Sequence, residues 1–167
     1  MLDTTGRFAY NEDHHAFRET VRKVFARVMA PNLDRHEREG IVGRDEWRAV
    51  GDAGLLCPTV AEAFGGPGLD FGFNAVVAEE LAYMGSAAGF TLQSDIITDY
   101  IEVYGSDEQK RSILPRMVSG ELIAAIAMTE PGAGSDLQGL KTTAVKDGNH
   151  YVINGSKTYI TNGASAD

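Results

Sequence analysis

The chain has 167 residues, a formal net charge of −9 at pH 7 and a hydrophobic content of 43%, which is enough for the core of one ordinary domain or somewhat more. No Lys or Arg occurs between Ala49 and Gln109, whereas ten acidic residues do, and this argues against nucleic acid as a partner because phosphate binding needs basic side chains. The single cysteine, Cys57, excludes an internal disulfide, and no apolar stretch approaches the ~20 residues of a membrane span.

The first two thirds of the sequence has helical periodicity. Apolar residues from Phe17 to Met29 fall on one helix face, with Asn11 as the predicted N-cap. Pro31 is expected to interrupt this helix, and Gly40 is expected to end it. Four further helices are predicted, at residues 45–53, 73–84, 87–104 and 106–120.

After Gly120 the hydrophobic period changes to that of strands. The run from Leu122 to Met128 is continuously apolar and of strand length. Three β-leaning segments follow, at 142–146, 150–153 and 156–161, separated by Asp147-Gly148 and Asn154-Gly155, which are strong hairpin signals. We therefore predict an α+β chain, with a helical domain at 1–120 and the opening strands of a β-domain at 121–167.

Two spaced motifs lie in the second part of the chain, Ala127–Asp136 and Asn154–Asn162. The first is an apolar stretch that breaks into a turn with two glycines, which permit positive φ and the close approach of a flat ligand. It is not a dinucleotide fingerprint, because its third glycine comes too late. It is not a phosphate loop either, because Leu140 stands before Lys141 where G-K-[ST] is required. The loop is suited to the polar edge of a planar cofactor.

The two motifs resemble those of the acyl-CoA dehydrogenase family of flavoenzymes, a T-E-P-x-A-G-S-D loop followed by N-G-x-K-x-[WY]-I-[TS]-N. The resemblance extends from Glu12 to the last residue and is nearest to the long-chain branch. It implies an all-helical N-terminal domain, a β-barrel-like middle domain and a C-terminal four-helix domain, which we expect to be absent here. It also implies FAD and an acyl-CoA substrate, whose α-proton is removed by a glutamate while flavin N5 takes a hydride. That glutamate belongs to the C-terminal domain of the family, so we expect no catalytic residue in this chain.

The resemblance also assigns residues to the cofactor and the substrate. Ser135 matches the family position that contacts acyl-CoA. One helix face is expected to line the acyl tunnel, and it consists of Ser94, Ile97, Thr98 and Ile101. Ordinary core packing is the alternative for this face. Glu130 and Asp136 are expected to be structural in their loop. The four histidines show no metal spacing, so no metal site is predicted. The expected cofactor contacts lie in two segments of the chain: Ile126, Ala127, Met128, Thr129, Glu130, Pro131, Gly132, Ala133, Gly134, Ser135, Tyr159, Ile160 and Thr161.

The predicted function is that of an FAD-dependent acyl-CoA dehydrogenase of fatty acid β-oxidation and lipid metabolism. The resemblance implies an electron-transfer flavoprotein or another electron acceptor as a partner, and a homotetramer or homodimer. We expect a cytoplasmic protein, since the N-terminus has no apolar h-region, and we expect the 167-residue chain alone to be inactive. Two alternatives stay open: an acyl-CoA oxidase or related flavin oxidase of the same fold, and a non-catalytic helical interaction module.

Overall fold

The computed structural model describes residues 10–167. In this range helices come first and strands last, as the sequence predicts. The part of the predicted 1–120 domain that precedes residue 10 lies outside the described residues, and the division at 120/121 itself stays a prediction. The elements are α1 (Glu12–Val28), α2 (Leu33–Glu39), α3 (Arg44–Asp52), α4 (Phe71–Met84), a π-helical segment (Leu92–Ile97) that continues into α5 (Thr98–Tyr104), α6 (Asp107–Val118), β1 (Thr143–Asp147) and β2 (His150–Asn154).

The helix ends are set by local signals in the sequence. The Asn11 side chain accepts a hydrogen bond from the His14 backbone N–H at 3.0 Å, and the His14 ring accepts one from the Asn11 N–H at 3.1 Å. This reciprocal pair satisfies two donors that a helix start leaves free. Pro31 stands in a 3₁₀ turn between α1 and α2, and Gly40, with φ of 69°, ends α2. The predicted cap, interruption and end are confirmed.

The hydrophobic core is formed mainly by the helical part of the chain, and Ile123 from the segment that follows is buried in it. Helices α1 and α4 pack against each other, and the fully buried Trp47 of α3 meets Phe90 edge to face with ring centroids 4.5 Å apart. Burial of such side chains supplies most of the stability of a domain of this size. Cys57 is also fully buried, and its burial raises the pKa of the thiol to about 12. The cysteine is therefore a packing residue and not a nucleophile.

The junction of α1 and α4 carries a buried ionic cluster. The Arg18 guanidinium is almost fully buried and donates to Glu79 at 2.6 Å and to Glu80 at 2.7 Å. Arg22 donates from Nε to the second oxygen of Glu80 at 2.9 Å. Because a buried charge is costly without a partner, these contacts fix the register in which the two helices pack.

The predicted helix at 87–104 begins late and changes its winding. Helical structure starts at Phe90, because Gly85 ends α4 in the left-handed region and the Ser86 hydroxyl accepts from the Ala88 N–H at 3.2 Å. The chain then widens into the π-helical segment before α5. Such single wide turns are rare and occur frequently at functional sites.

One hairpin is present in the described chain. Strands β1 and β2 pair in antiparallel register, Val145 opposite Val152, around a turn in which Gly148 has φ of 60°. The hairpin signal at Asp147-Gly148 is confirmed. All ten strand residues are exposed, so neither face of the hairpin is covered by the described chain.

The two other predicted strands, at 122–128 and 156–161, are wrong for the described chain. The Ile123 N–H donates to the Asp167 carboxylate at 2.9 Å, and the Ala124 N–H donates to the buried Gln93 side chain at 2.8 Å. A strand needs a partner along its length, and the one backbone hydrogen bond near both segments, from the Thr158 N–H to the Thr129 carbonyl, lies just beyond the first of them. The predicted hairpin at Asn154-Gly155 is also not formed, because no strand follows β2 in the described chain.

Candidate functional site

The first motif forms a tight, open turn. The Glu130 N–H donates to the Ala133 carbonyl at 2.9 Å, and the Ala133 N–H donates back to the Glu130 carbonyl at 3.1 Å. Neither Gly132 nor Gly134 has a positive φ, so of the two properties that glycine permits, positive φ is not used here. A Cβ at either glycine would meet no atom within 4 Å. What these glycines contribute is therefore the lack of a side chain, which leaves a backbone that a ligand can approach closely.

The carboxylate of Glu130 organises this turn from inside. It accepts from the backbone N–H groups of Lys141 at 2.8 Å and Thr142 at 2.9 Å, and from the Lys157 ammonium at 3.0 Å. The Thr142 side chain, the Lys141 N–H and the Lys157 ammonium all contact this carboxylate. These contacts hold the pKa of Glu130 at about 2, well below its ordinary value. Glu130 is thus structural, as expected. Asp136 is too, since its carboxylate accepts from the Gln138 N–H at 3.1 Å.

The two predicted cofactor segments lie side by side. The Thr158 N–H donates to the Thr129 carbonyl at 3.0 Å, and the Lys157 ammonium donates to the Met128 carbonyl at 2.9 Å. Thr129 and Thr158, about 30 positions apart in the sequence, therefore meet through their backbone atoms. The side chain of Thr129 takes no part in this contact. This is the geometric basis of a single site built from both motifs.

The second motif contains two residues with unusual backbone geometry. Tyr159 has φ of 54° and is 92% exposed, and Asn162 has φ of 64°. An exposed aromatic residue held in the left-handed region is strained, and such strain is concentrated at functional sites. Asn162 donates to the carbonyls of Gly89 and Ala124, each at 3.1 Å, which ties this motif to the helical part. A Cβ at Gly89 would overlap the Asn162 side chain, so the contact requires glycine there.

Two cavities flank Thr161. One, of about 390 Å³, lies between α2, the Ser86–Gly89 loop and residues 160–165. The other, of about 420 Å³, lies between α4, the same loop and the π-helical segment. Thr161 and the Ser86–Gly89 loop border both cavities. The end of the second motif therefore stands next to space that can receive a ligand.

The predicted substrate residues are placed apart from this space. Ser94, Ile97 and Thr98 are buried in the helical core. The Ser94 hydroxyl accepts from the Cys57 N–H at 3.0 Å, and the Thr98 hydroxyl donates to the Ser94 carbonyl at 2.7 Å. Ile101 packs partly buried against the same core. Their positions fit the packing alternative, and their assignment to substrate, like that of the exposed Ser135, stays a prediction.

Three residues of the site were missed by sequence reasoning: Lys157, Asn162 and Asp95. Lys157 stands inside the second motif, and its position there was the available signal. Asp95 lines the 420 Å³ cavity together with Thr91, Leu92 and Ile96, and no signal in the sequence marked it. Among residues 10–167 no group of three or more potential metal ligands occurs, and no helix is both long and apolar enough to cross a membrane.

Comparison with known proteins places these features in context. Residues 11–121 match the family profile "Acyl-CoA dehydrogenase, N-terminal domain", and residues 125–167 match "Acyl-CoA dehydrogenase, middle domain". The long-chain specific acyl-CoA dehydrogenase of Sus scrofa, a mitochondrial protein, is 48% identical over the whole chain, which spans 39% of that relative's length.

Solved structures give the same result. An acyl-CoA dehydrogenase from Geobacillus kaustophilus superposes with a TM-score of 0.91 at 48% identity, covering 96% of this chain and 42% of that one. A glutaryl-CoA dehydrogenase from Mycobacterium smegmatis in complex with FADH2 has a TM-score of 0.84 at 30% identity, covering 95% and 41%.

Proposed function

The chain belongs to the acyl-CoA dehydrogenase family, and from that premise we propose that it forms the flavin-contacting part of an FAD-dependent enzyme that dehydrogenates an acyl-CoA thioester between its α- and β-carbons. The proposal includes an electron-transfer flavoprotein or another acceptor for the electrons, a homo-oligomeric enzyme and a cytoplasmic location. The substrate class is an acyl-CoA of fatty acid oxidation. Three mitochondrial relatives specific for long chains, 45–48% identical to this chain, support this substrate class.

One observation carries the proposal: the hydrogen bond of 3.0 Å between the Thr158 N–H and the Thr129 carbonyl. It joins the two motifs whose residues the family resemblance assigns to the flavin. The exposed surface beside it fits a flat, polar-edged ligand, because the backbone at Gly132 and Gly134 is open and Tyr159 presents an exposed ring. The relative from Mycobacterium smegmatis was solved with FADH2, which supports the same cofactor here.

Each residue of this surface has a definable task. The hydroxyls of Thr129 and Thr161 would donate to the polar edge of the flavin, and the ring of Tyr159 would lie against its face. The bound flavin supplies a hydride acceptor. Lys157, neutralised by Glu130 at 3.0 Å, holds the two motifs together and so keeps the hydroxyls in place.

Glu130 is not the base that removes the substrate α-proton. Its pKa of about 2 makes it a weak base near neutral pH, and its two oxygens are occupied by two N–H groups and an ammonium. Its task is to shape the turn.

The test uses a hybrid enzyme in which this chain replaces the matching segment of the Geobacillus kaustophilus relative. We expect Thr129→Val and Thr161→Val each to lower flavin affinity or the rate of flavin reduction by a factor corresponding to about 1–3 kcal/mol, because each removes a donor and leaves its partner unsatisfied. Flavin content is read from the visible spectrum, and reduction is followed as bleaching by an acyl-CoA without oxygen.

The matched control is Thr20→Val, which makes the same change on the exposed face of α1. We expect it to leave flavin content and bleaching unchanged. If both site variants also behave like the parent hybrid, the assignment of Thr129 and Thr161 is wrong. If the hybrid takes up flavin but no acyl-CoA bleaches it, the proposed reaction is wrong.

A further inference from the structure

Gln93 is a buried amide that joins separate parts of the chain. It has no exposed surface and stands in the π-helical segment. Its Nε2 group donates to the Met117 carbonyl, near the end of α6, at 3.0 Å, and its Oε1 atom accepts from the Ala124 N–H at 2.8 Å. These partners fix the orientation of the amide, because a carbonyl can only accept and an N–H can only donate. Both ends of the side chain are therefore in use.

The backbone that Gln93 holds leads into the first cofactor segment, residues 126–135. Ala124 lies two residues before this segment. Residues 122–128 form no strand in the described chain, so their backbone groups need partners other than a sheet. At Ala124 these partners are side chains, since Gln93 accepts from its N–H and Asn162 donates to its carbonyl at 3.1 Å. Two side chains thus fix the backbone here.

The same contacts reach the second cofactor segment, residues 159–161. Asn162 directly follows Thr161, whose hydroxyl we assign to the flavin edge. The Asn162 Nδ2 group also donates to the Gly89 carbonyl at 3.1 Å, and that carbonyl accepts from the Gln93 N–H at 3.4 Å. The result is a closed hydrogen-bond ring of four residues: Gln93, Ala124, Asn162 and Gly89. A displacement of Gln93 is therefore passed to both cofactor segments.

The chemistry of a buried amide favours a positioning role over simple packing. Such an amide adds little net stability, because its hydrogen bonds mainly replace those that it made with water. It does add direction, since both ends are satisfied in one arrangement of Met117 and Ala124. The backbone of Gln93 is fixed as well, because its carbonyl accepts from the Thr98 N–H in the wide π-helical turn.

We propose that Gln93 is a positioning residue for the flavin site, which fixes Ala124 and, through Ala124 and Asn162, holds both cofactor segments in one arrangement. The consequence for the flavin rests on the proposed function, whereas the coupling of the two segments does not. Because a small displacement of a donor has a large effect on a reaction rate, loss of the Gln93 contacts should slow flavin reduction. The binding of acyl-CoA should be unaffected, since Gln93 acts only through the cofactor segments.

Two substitutions separate the contact with Ala124 from the filling of space. Gln93→Met keeps the length of the side chain but has no oxygen for the Ala124 N–H. Gln93→Glu keeps that oxygen in either protonation state, and its protonated form, which burial favours, also donates to the Met117 carbonyl. The matched control for a general loss of stability is Val21→Ala, which removes fully buried atoms of α1 outside the hydrogen-bond ring.

The first measurement is hydrogen exchange of the Ala124 amide in the purified 167-residue chain. Rates are taken relative to the slowest helical amides, which report global unfolding. We expect Gln93→Met to speed exchange of the Ala124 amide by at least about tenfold, because its acceptor is lost, and to speed exchange of the Gly163 amide beside Asn162 in the same direction. Gln93→Glu and Val21→Ala should stay within about threefold of the parent.

The second measurement is flavin bleaching by an acyl-CoA, without oxygen, in the hybrid enzyme. Rates are expressed per bound flavin, so that a loss of folded protein does not lower them. We expect Gln93→Met to slow the maximal bleaching rate by at least about tenfold, with the acyl-CoA concentration for half that rate within about twofold of the parent. Gln93→Glu should restore the rate to within about threefold, and Val21→Ala should leave it unchanged. If Gln93→Met does not fold, Asn162→Gly opens the same hydrogen-bond ring and should give the same slowing.

The inference is overturned if the Ala124 amide of Gln93→Met exchanges like that of the parent, if an active hybrid with Gln93→Met bleaches like its parent, or if Gln93→Glu is no better than Gln93→Met. A parent hybrid that takes up no flavin, or that no acyl-CoA bleaches, overturns the proposed function instead. The exchange rates, which involve no flavin, then decide whether Gln93 couples the two segments.

Discussion

The helical part of the chain and the part after Gly120 differ in how their residues are satisfied. From α1 to α6 the backbone bonds are local, the buried acids have cations, and Trp47, Leu114 and Met117 lie fully buried in one core. After Gly120 the hairpin is exposed on both faces, and few side chains are buried, Ile123, Glu130 and Ala133 among them. The helical part thus contains most of the hydrophobic core, and most of the second part is exposed on its surface. The candidate flavin site belongs to the second part but depends on the first for its anchoring.

The largest expected effect is a loss of stability when a core residue of the helical part is replaced. Trp47→Ala should lower the free energy of unfolding by about 3–5 kcal/mol, because it empties a fully buried position. Tyr151→Ala, which removes an exposed ring of β2, should change it by less than about 0.5 kcal/mol. Urea unfolding of both variants measures the difference. Similar losses would show that the hairpin shares the core and would remove the distinction.

An intermediate effect is expected at the anchor between the two parts. Asn162→Gly keeps the left-handed backbone but removes the two hydrogen bonds to Gly89 and Ala124. We expect the local opening free energy of residues 163–166 to fall by about 1–3 kcal/mol, with the helical amides unchanged. Hydrogen exchange of the Gly163 and Ala166 amides reports it, and Asn154→Gly at the exposed end of β2 is the control. Equal exchange in parent and variant would exclude an anchoring role.

The smallest effect concerns the pH dependence of the turn. The folded pKa of Glu130, about 2, lies below its ordinary value of 4.5. Its contribution to stability is therefore complete above pH 4.5 and is lost as the pH falls toward 2. The Lys141 and Thr142 amides, which donate to this carboxylate, should show no titration between about pH 6 and about pH 3.5, where an ordinary glutamate titrates. NMR titration checks this, with Glu130→Gln as the control, and a midpoint near 4.5 would contradict it.

The same difference decides what the sequence could predict. Asn11, Gly40 and Ser106 act on neighbouring residues, so the helix boundaries that depend on them were predicted from sequence alone. The strands predicted at 122–128 and 156–161 were wrong because strand pairing depends on distant partners, and Ile123 and Ala124 found side chains instead. The meeting of Thr129 with Thr158 and the unpaired state of Asp95 are tertiary facts that no local pattern contains.

The most direct test of the central claim is the affinity of FAD for the purified 167-residue chain, measured beside the hybrid enzyme. If the chain presents flavin contacts on an exposed surface without enclosing them, the isolated chain should bind FAD at least about a thousandfold more weakly than the hybrid, since an open surface leaves most of the ligand in water. It should also show no turnover of an acyl-CoA with an artificial electron acceptor. Affinity and turnover equal to those of the hybrid would contradict the claim, because the exposed part would then form a complete site by itself.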